Sequence, residues 1–138
     1  MKALVFTGKQ HMEIQDIDKP EVKPNEVRVD TAYAGVCGTD HALYNGLPGS
    51  ADAVPPIVFG HENSGVISEV GSDVDGFKVG DRVTVDPNIY CGKCFYCHTG
   101  RPELCDNLSA VGVTRNGGLE ESLSLIHISE PTRLDVMS

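Results

Sequence analysis

The chain has 138 residues, 20 acidic against 11 basic side chains and a net charge of −9. That length suits one domain with its own core. The scattered acidity excludes a nucleic-acid partner, which needs a basic face, and the absence of an eighteen-residue apolar run excludes a membrane-spanning helix. The start, MKALVFTGKQ, makes a poor signal peptide, so a cytoplasmic protein is expected. Fifteen glycines and eight prolines punctuate Val-rich segments, which predicts a mostly β architecture. MKALVF reads as a first strand and residues 12–17 as a second, ended by the turn-rich DKPEVKPNE. Residues 26–34 alternate as a strand, with Val27, Val29 and Tyr33 on one face and Glu26, Arg28 and Asp30 on the other. A short helix is expected to start near Thr39 or Asp40, both good N-cap types. Residues 46–56 read as a loop, and 57–71 as two strands or one broken strand. Val83 and Val85 share one face of a further strand. A turn at Asn116–Gly117–Gly118 leads into another.

Four of the five cysteines fall in CGKCFYCHTGRPELC, residues 91–105. Cys91, Cys94, Cys97 and Cys105 are spaced so that neighbouring thiolates converge on one ion, which predicts a closed, structural zinc site. Two disulfides are the alternative, disfavoured in a reducing compartment. His98 is read as a surface residue, since four thiolates fill the shell. His11 is read likewise. Cys37 and His61 are each beside a glycine, with Glu62 adjacent. As residue types they suit zinc, but taken alone they read sooner as a buried thiol and a satisfied histidine.

The cysteine loop resembles the structural-zinc lobe of the zinc-dependent medium-chain alcohol and polyol dehydrogenases. So do AGVCGTD (34–40), PPIVFGHENSGVISEVGSDV (55–74), FKVGDRVTV (77–85) and NGGLEE (116–121), in register from Met1 to about Glu121. The resemblance implies a GroES-like, partly open β-barrel over residues 1–121. It implies that Cys37 and His61 are catalytic-zinc ligands and that Glu62 is the carboxylate beside the metal. Thr39 becomes the hydroxyl that takes the alcohol proton, and Asp40 the carboxylate that orients the ligand histidine. It further implies a small-molecule secondary alcohol or polyol as substrate, NAD(P) as hydride acceptor, and a homo-oligomeric parent. A relay histidine that many relatives carry two residues after the GTD aspartate is here Ala42, with His41 one place earlier. Tyr44 and Phe59 are candidates for a substrate pocket or for the core.

A third ligand for the catalytic zinc and the Rossmann domain are expected to be missing, since no strand is followed by G-x-G-x-x-G. LSLIHISEPTR, from Leu123, resembles the translation of a transposase adapter used in sequencing libraries. Residues 122–138 are therefore expected to be a non-native tail, able to imitate a strand through its Ser/Leu alternation, and His127 is not counted as a ligand. The chain itself is expected to be inactive. Two other readings stand beside this one. One is a stand-alone zinc-binding module with a binding or assembly role. The other is a zinc-free reductase on the same fold.

Overall fold

The structure is a computed structural model, and it describes residues 1–47 and 53–125. Part of the expected 46–56 loop and the tail from residue 126, with His127, lie outside the described residues.

Among the described residues the chain is mostly strand. β1 (Lys2–Gly8) and β2 (His11–Asp16) form an antiparallel hairpin, and β4 (Ile57–Val58) pairs on the other side of β1. β3 (Val27–Gly35) and β5 (Glu62–Val70) are the longest strands and pair with each other. β6 (Arg82–Thr84) flanks β5, and β9 (Ser122–Leu125) flanks β3. β7 (Asn88–Ile89) and β8 (Ser109–Ala110) bracket the cysteine loop. The first sheet is tied to the second through residues 119–121. Leu4 N–H donates to the Leu119 carbonyl at 2.8 Å, and Glu121 N–H to the Lys2 carbonyl at 3.2 Å. The sheets thus curl around a shared interior as the expected partly open barrel.

Alternation along the strands builds that interior. Val27, Val29, Ile67, Val83, Val85 and Leu123 form one buried cluster. Phe6, Leu43, Ile57 and Phe59 form another, in which Phe6 and Phe59 stack with centroids 4.7 Å apart. Burying such side chains contributes roughly 1.5–3 kcal/mol each.

Three expectations change. Tyr33 does not share the inward face of Val27 and Val29 and is 79% exposed. The pairing of β3 with β5 slips between Thr31 and Tyr33, a bulge that reverses the alternation. Glu26 does not face solvent either. It is buried just before β3, where its carboxylate accepts from Lys23 N–H and the Ser124 hydroxyl. Burial raises its pKa, but these bonds and the Lys23 ammonium outweigh burial and hold it below its ordinary value. Finally, the helix α1 (Gly38–Asn45) is capped by a thiol, Cys37, and not by Thr39 or Asp40.

Candidate metal centres

The end of β3, paired with the start of β5, is what brings Cys37 and His61 together. Ala34 pairs with Asn63 and Gly35 with Glu62 across β3 and β5. Two residues beyond Gly35 the chain turns into α1, and Cys37 sits at its N-cap. There its Sγ accepts from Thr39 N–H at 3.3 Å. Asp40, three residues on, returns the bond: its Oδ2 accepts from Cys37 N–H at 2.9 Å. This is a capping box built on sulfur, and it fixes Cys37 and Asp40 relative to each other.

His61 closes the centre. Its Nε2 is 3.0 Å from Cys37 Sγ, and its Nδ1 is 3.5 Å from Asp40 Oδ1. Both Nδ1 and Oδ1 are buried and make no hydrogen bond elsewhere. The Glu62 carboxylate lies over Gly35, where an added Cβ would sit 2.7 Å from its Oε2 and displace the carboxylate from this position. Ligand atoms of Cys37, His61 and Glu62 all lie within 4.8 Å of one another. Thr39 is exposed on the first turn of α1, beside this group.

The four-cysteine loop folds into a second cluster. α2 (Phe95–His98) and a 3₁₀ turn at Pro102–Leu104 return Cys105 to Cys91, whose N–H donates to Cys105 Sγ at 3.3 Å. All four sulfurs lie within 4.8 Å of one another, and none is in a disulfide. The backbone N–H groups of Cys97 and Asp106 lower Cys94 to about 6. Lost solvation, then the proton shared with Cys94, pushes Cys97 up to about 12.

Both donor sets fit zinc. Thiolate bonds of about 2.3 Å in a tetrahedron place sulfurs about 3.8 Å apart, within the span of the four-cysteine cluster. A thiol, an imidazole and a carboxylate around one point are an incomplete tetrahedron, which leaves a position open. The orphaned Asp40 and His61 atoms are what a metal-bound imidazole needs behind it, a carboxylate for its second nitrogen.

The alcohol dehydrogenase GroES-like domain model matches residues 23–127. The chain belongs to that family. The alcohol dehydrogenase GroES-like relatives include an L-threonine 3-dehydrogenase from Shewanella loihica, 43% identical over 109 residues. That match covers 78% of this chain and 32% of the relative. Among solved structures, galactitol-1-phosphate dehydrogenase from Escherichia coli superposes with a TM-score of 0.83 at 34% identity, covering 91% of this chain and 36% of that one. A candidate zinc-binding dehydrogenase from Sinorhizobium meliloti, solved with NADP, gives 0.82 at 38% identity, covering 90% and 35%. The chain spans about a third of the length of these relatives.

The remaining sequence candidates fall apart from the two clusters. His98, His11 and His41 are exposed. Phe59 is fully buried in the core, and Tyr44 packs beside it with its hydroxyl donating to the Gln10 carbonyl at 2.8 Å. Both nevertheless line one wall of a cavity of about 450 Å³ that Asp40 and His41 also reach. Sequence reading missed Asn63 and Gly118, which meet only in the fold, and Glu120, a buried carboxyl without a partner on Oε2. Its burial pushes its pKa up to about 8.

Proposed function

We propose that this chain is the catalytic-domain portion of a zinc-dependent, NAD(P)-linked dehydrogenase acting on a small secondary alcohol or polyol. The observation that carries the reading is His61, held between Cys37 Sγ at 3.0 Å and Asp40 Oδ1 at 3.5 Å. Cys37 and His61 would hold the catalytic zinc, with Glu62 as the carboxylate beside it in reach of a third position, and Cys91, Cys94, Cys97 and Cys105 would hold the structural one. Bound zinc supplies Lewis acidity that lowers the pKa of an alcohol. The chain's own residues do the rest. Asp40 accepts the Nδ1 proton of His61 and so leaves Nε2 free as a donor atom. Cys37 offers its sulfur from the helix cap. Thr39, exposed beside it, takes the alcohol proton and passes it to solvent. A nicotinamide cofactor, when bound, would supply the hydride acceptor. Support for the cofactor and substrate class comes from the relatives: one was solved with NADP, and the others are named for threonine and for a polyol phosphate.

No G-x-G-x-x-G turn lies between a strand and a helix among the described residues, so no cofactor-binding residue is assigned. We extend the proposal to a homo-oligomeric parent in a reducing, cytoplasmic compartment, which suits five free thiols. Residues 122–138 are proposed to be non-native. The fit of β9 on β3 follows from its Ser/Leu alternation, which places Leu123 and Leu125 inward whatever the origin of the segment. Reading the source DNA past the codon for Glu121 decides this point.

The test of the two centres is zinc content. The chain is expected to bind zinc at both, Cys94→Ala to lose the structural equivalent and Cys37→Ala the catalytic one. If zinc responds to Cys94→Ala but not to Cys37→Ala, the chain is a zinc-lobe module and the dehydrogenase centre is wrongly placed. The complete four-cysteine cluster is what favours that second reading.

A further inference from the structure

We propose that Asn63 is a positioning residue for the Cys37–His61–Glu62 centre, acting through the carbonyl of Gly60. The proposal rests on the reading of that centre as a metal site. Gly60 precedes His61 and has φ +98, a conformation left to glycine. The Gly60 carbonyl and the His61 N–H share one rigid peptide plane. Two donors hold that plane. Asn63 Nδ2 reaches the Gly60 carbonyl at 2.9 Å, and Gly118 N–H reaches it at 2.9 Å. With the plane held, the direction in which His61 leaves the backbone is set, and with it the approach of Nε2 to Cys37.

The side chain of Asn63 has no freedom to do otherwise. It is 4% exposed and pressed against Gly118, where an added Cβ would come within 2.2 Å of its Cγ. The carbonyl of Gly60 accepts only, so the amide nitrogen faces it and Oδ1 points away. That Oδ1 is buried with no partner. A buried acceptor left unpaired is unfavourable. Leucine has the same branching at Cγ and would remove the orphan, so stability alone does not call for asparagine here. What leucine lacks is the N–H that holds Gly60.

The experiment uses the 138-residue chain, freed of metal and titrated with Co2+ in competition with a chromophoric chelator. Cys37→Ala identifies the signal of the mixed centre, and the four-thiolate signal reports that the lobe has folded. In Asn63→Leu, Co2+ affinity at the mixed centre is expected to fall about tenfold, the range of residues behind metal ligands, with a shifted d–d band. Affinity at the four-cysteine centre is expected to stay unchanged. Equal affinity at both centres in Asn63→Leu and in wild type overturns the proposal and leaves the metal site standing. A wild-type chain with no Co2+ signal that Cys37→Ala removes overturns the metal site, and the proposal with it. If Asn63→Leu does not fold, Asn63→Ala is judged on the same two affinities. Loss of both centres in both variants makes Asn63 a folding residue and overturns its positioning role.

Discussion

Asp40 Oδ1 and His61 Nδ1 face each other across 3.5 Å, and neither atom has another partner. The other oxygen of Asp40 is already committed to Cys37 N–H, so one carboxylate ties the helix cap to the imidazole. Cys37 and His61 are therefore both oriented by a single side chain.

Asp40→Asn follows from that geometry. The amide oxygen can keep the bond to Cys37 N–H, but the NH2 then faces His61 Nδ1. Two donors cannot face each other, so the proton moves to Nε2 and blocks it as a ligand. Metal affinity at the Cys37 centre is expected to fall about 10- to 100-fold, read by Co2+ competition. Affinity at the four-cysteine centre is expected to hold. Unchanged affinity at the Cys37 centre would show that Asp40 serves only as a helix cap.

Removing metal from the four-cysteine lobe should loosen it locally. Residues 91–105 hold only short elements, and Phe95 and Leu104 are exposed, so little apolar burial holds the loop closed. A strong chelator is expected to make the peptide bond after Lys93 sensitive to trypsin while β1, β3 and β5 stay protected. Equal cleavage with and without chelator would mean that zinc does not order the loop.

Gly65→Ala is expected to cost about 3 kcal/mol or more, read from the denaturant midpoint. Its Cβ would fall 2.2 Å from the Asp30 carbonyl and 2.7 Å from Val29 Cγ1. Both belong to the strand it pairs with, and the Asp30 carbonyl cannot move without parting β3 from β5. A variant as stable as wild type would mean that β3 and β5 can part locally to admit a methyl group.

Glu120 predicts a pH dependence of stability. Its pKa rises on folding from 4.5 to about 8 because burial disfavours the charged carboxylate. The folded state therefore holds a proton that the unfolded state has released. This contribution is full below pH 4.5 and is lost as pH rises towards about 8, so stability falls across that window. The full shift corresponds to about 5 kcal/mol as an order of magnitude. Glu120→Gln carries no proton to lose. It is expected to flatten the midpoint-versus-pH curve and to exceed wild type in stability above pH 8. A variant with the same slope as wild type would assign the dependence to other groups.

The two metal centres differ in how far the sequence reveals them. Cys91, Cys94, Cys97 and Cys105 lie within fifteen residues, and their spacing alone limits how far their sulfurs can separate. The strands were legible for a similar reason: Val27 with Val29, and Val83 with Val85, turn inward because a two-residue period needs no knowledge of the partner. Cys37 and His61 are 24 residues apart. Only family resemblance joined them in the sequence, and only the pairing of Gly35 with Glu62 brings them to one place. Tyr33 escaped the pattern because a bulge is a property of two strands, not one. The same holds for Glu26, whose partner Ser124 lies 98 residues away. It holds for Asn63, whose wall is Gly118. Short-range chemistry, in ligand spacing and alternation, was determined by the sequence itself. Long-range chemistry was decided by tertiary structure, because hydrogen bonds and buried carboxyls depend on which distant backbone comes within 3 Å, and no local period encodes that.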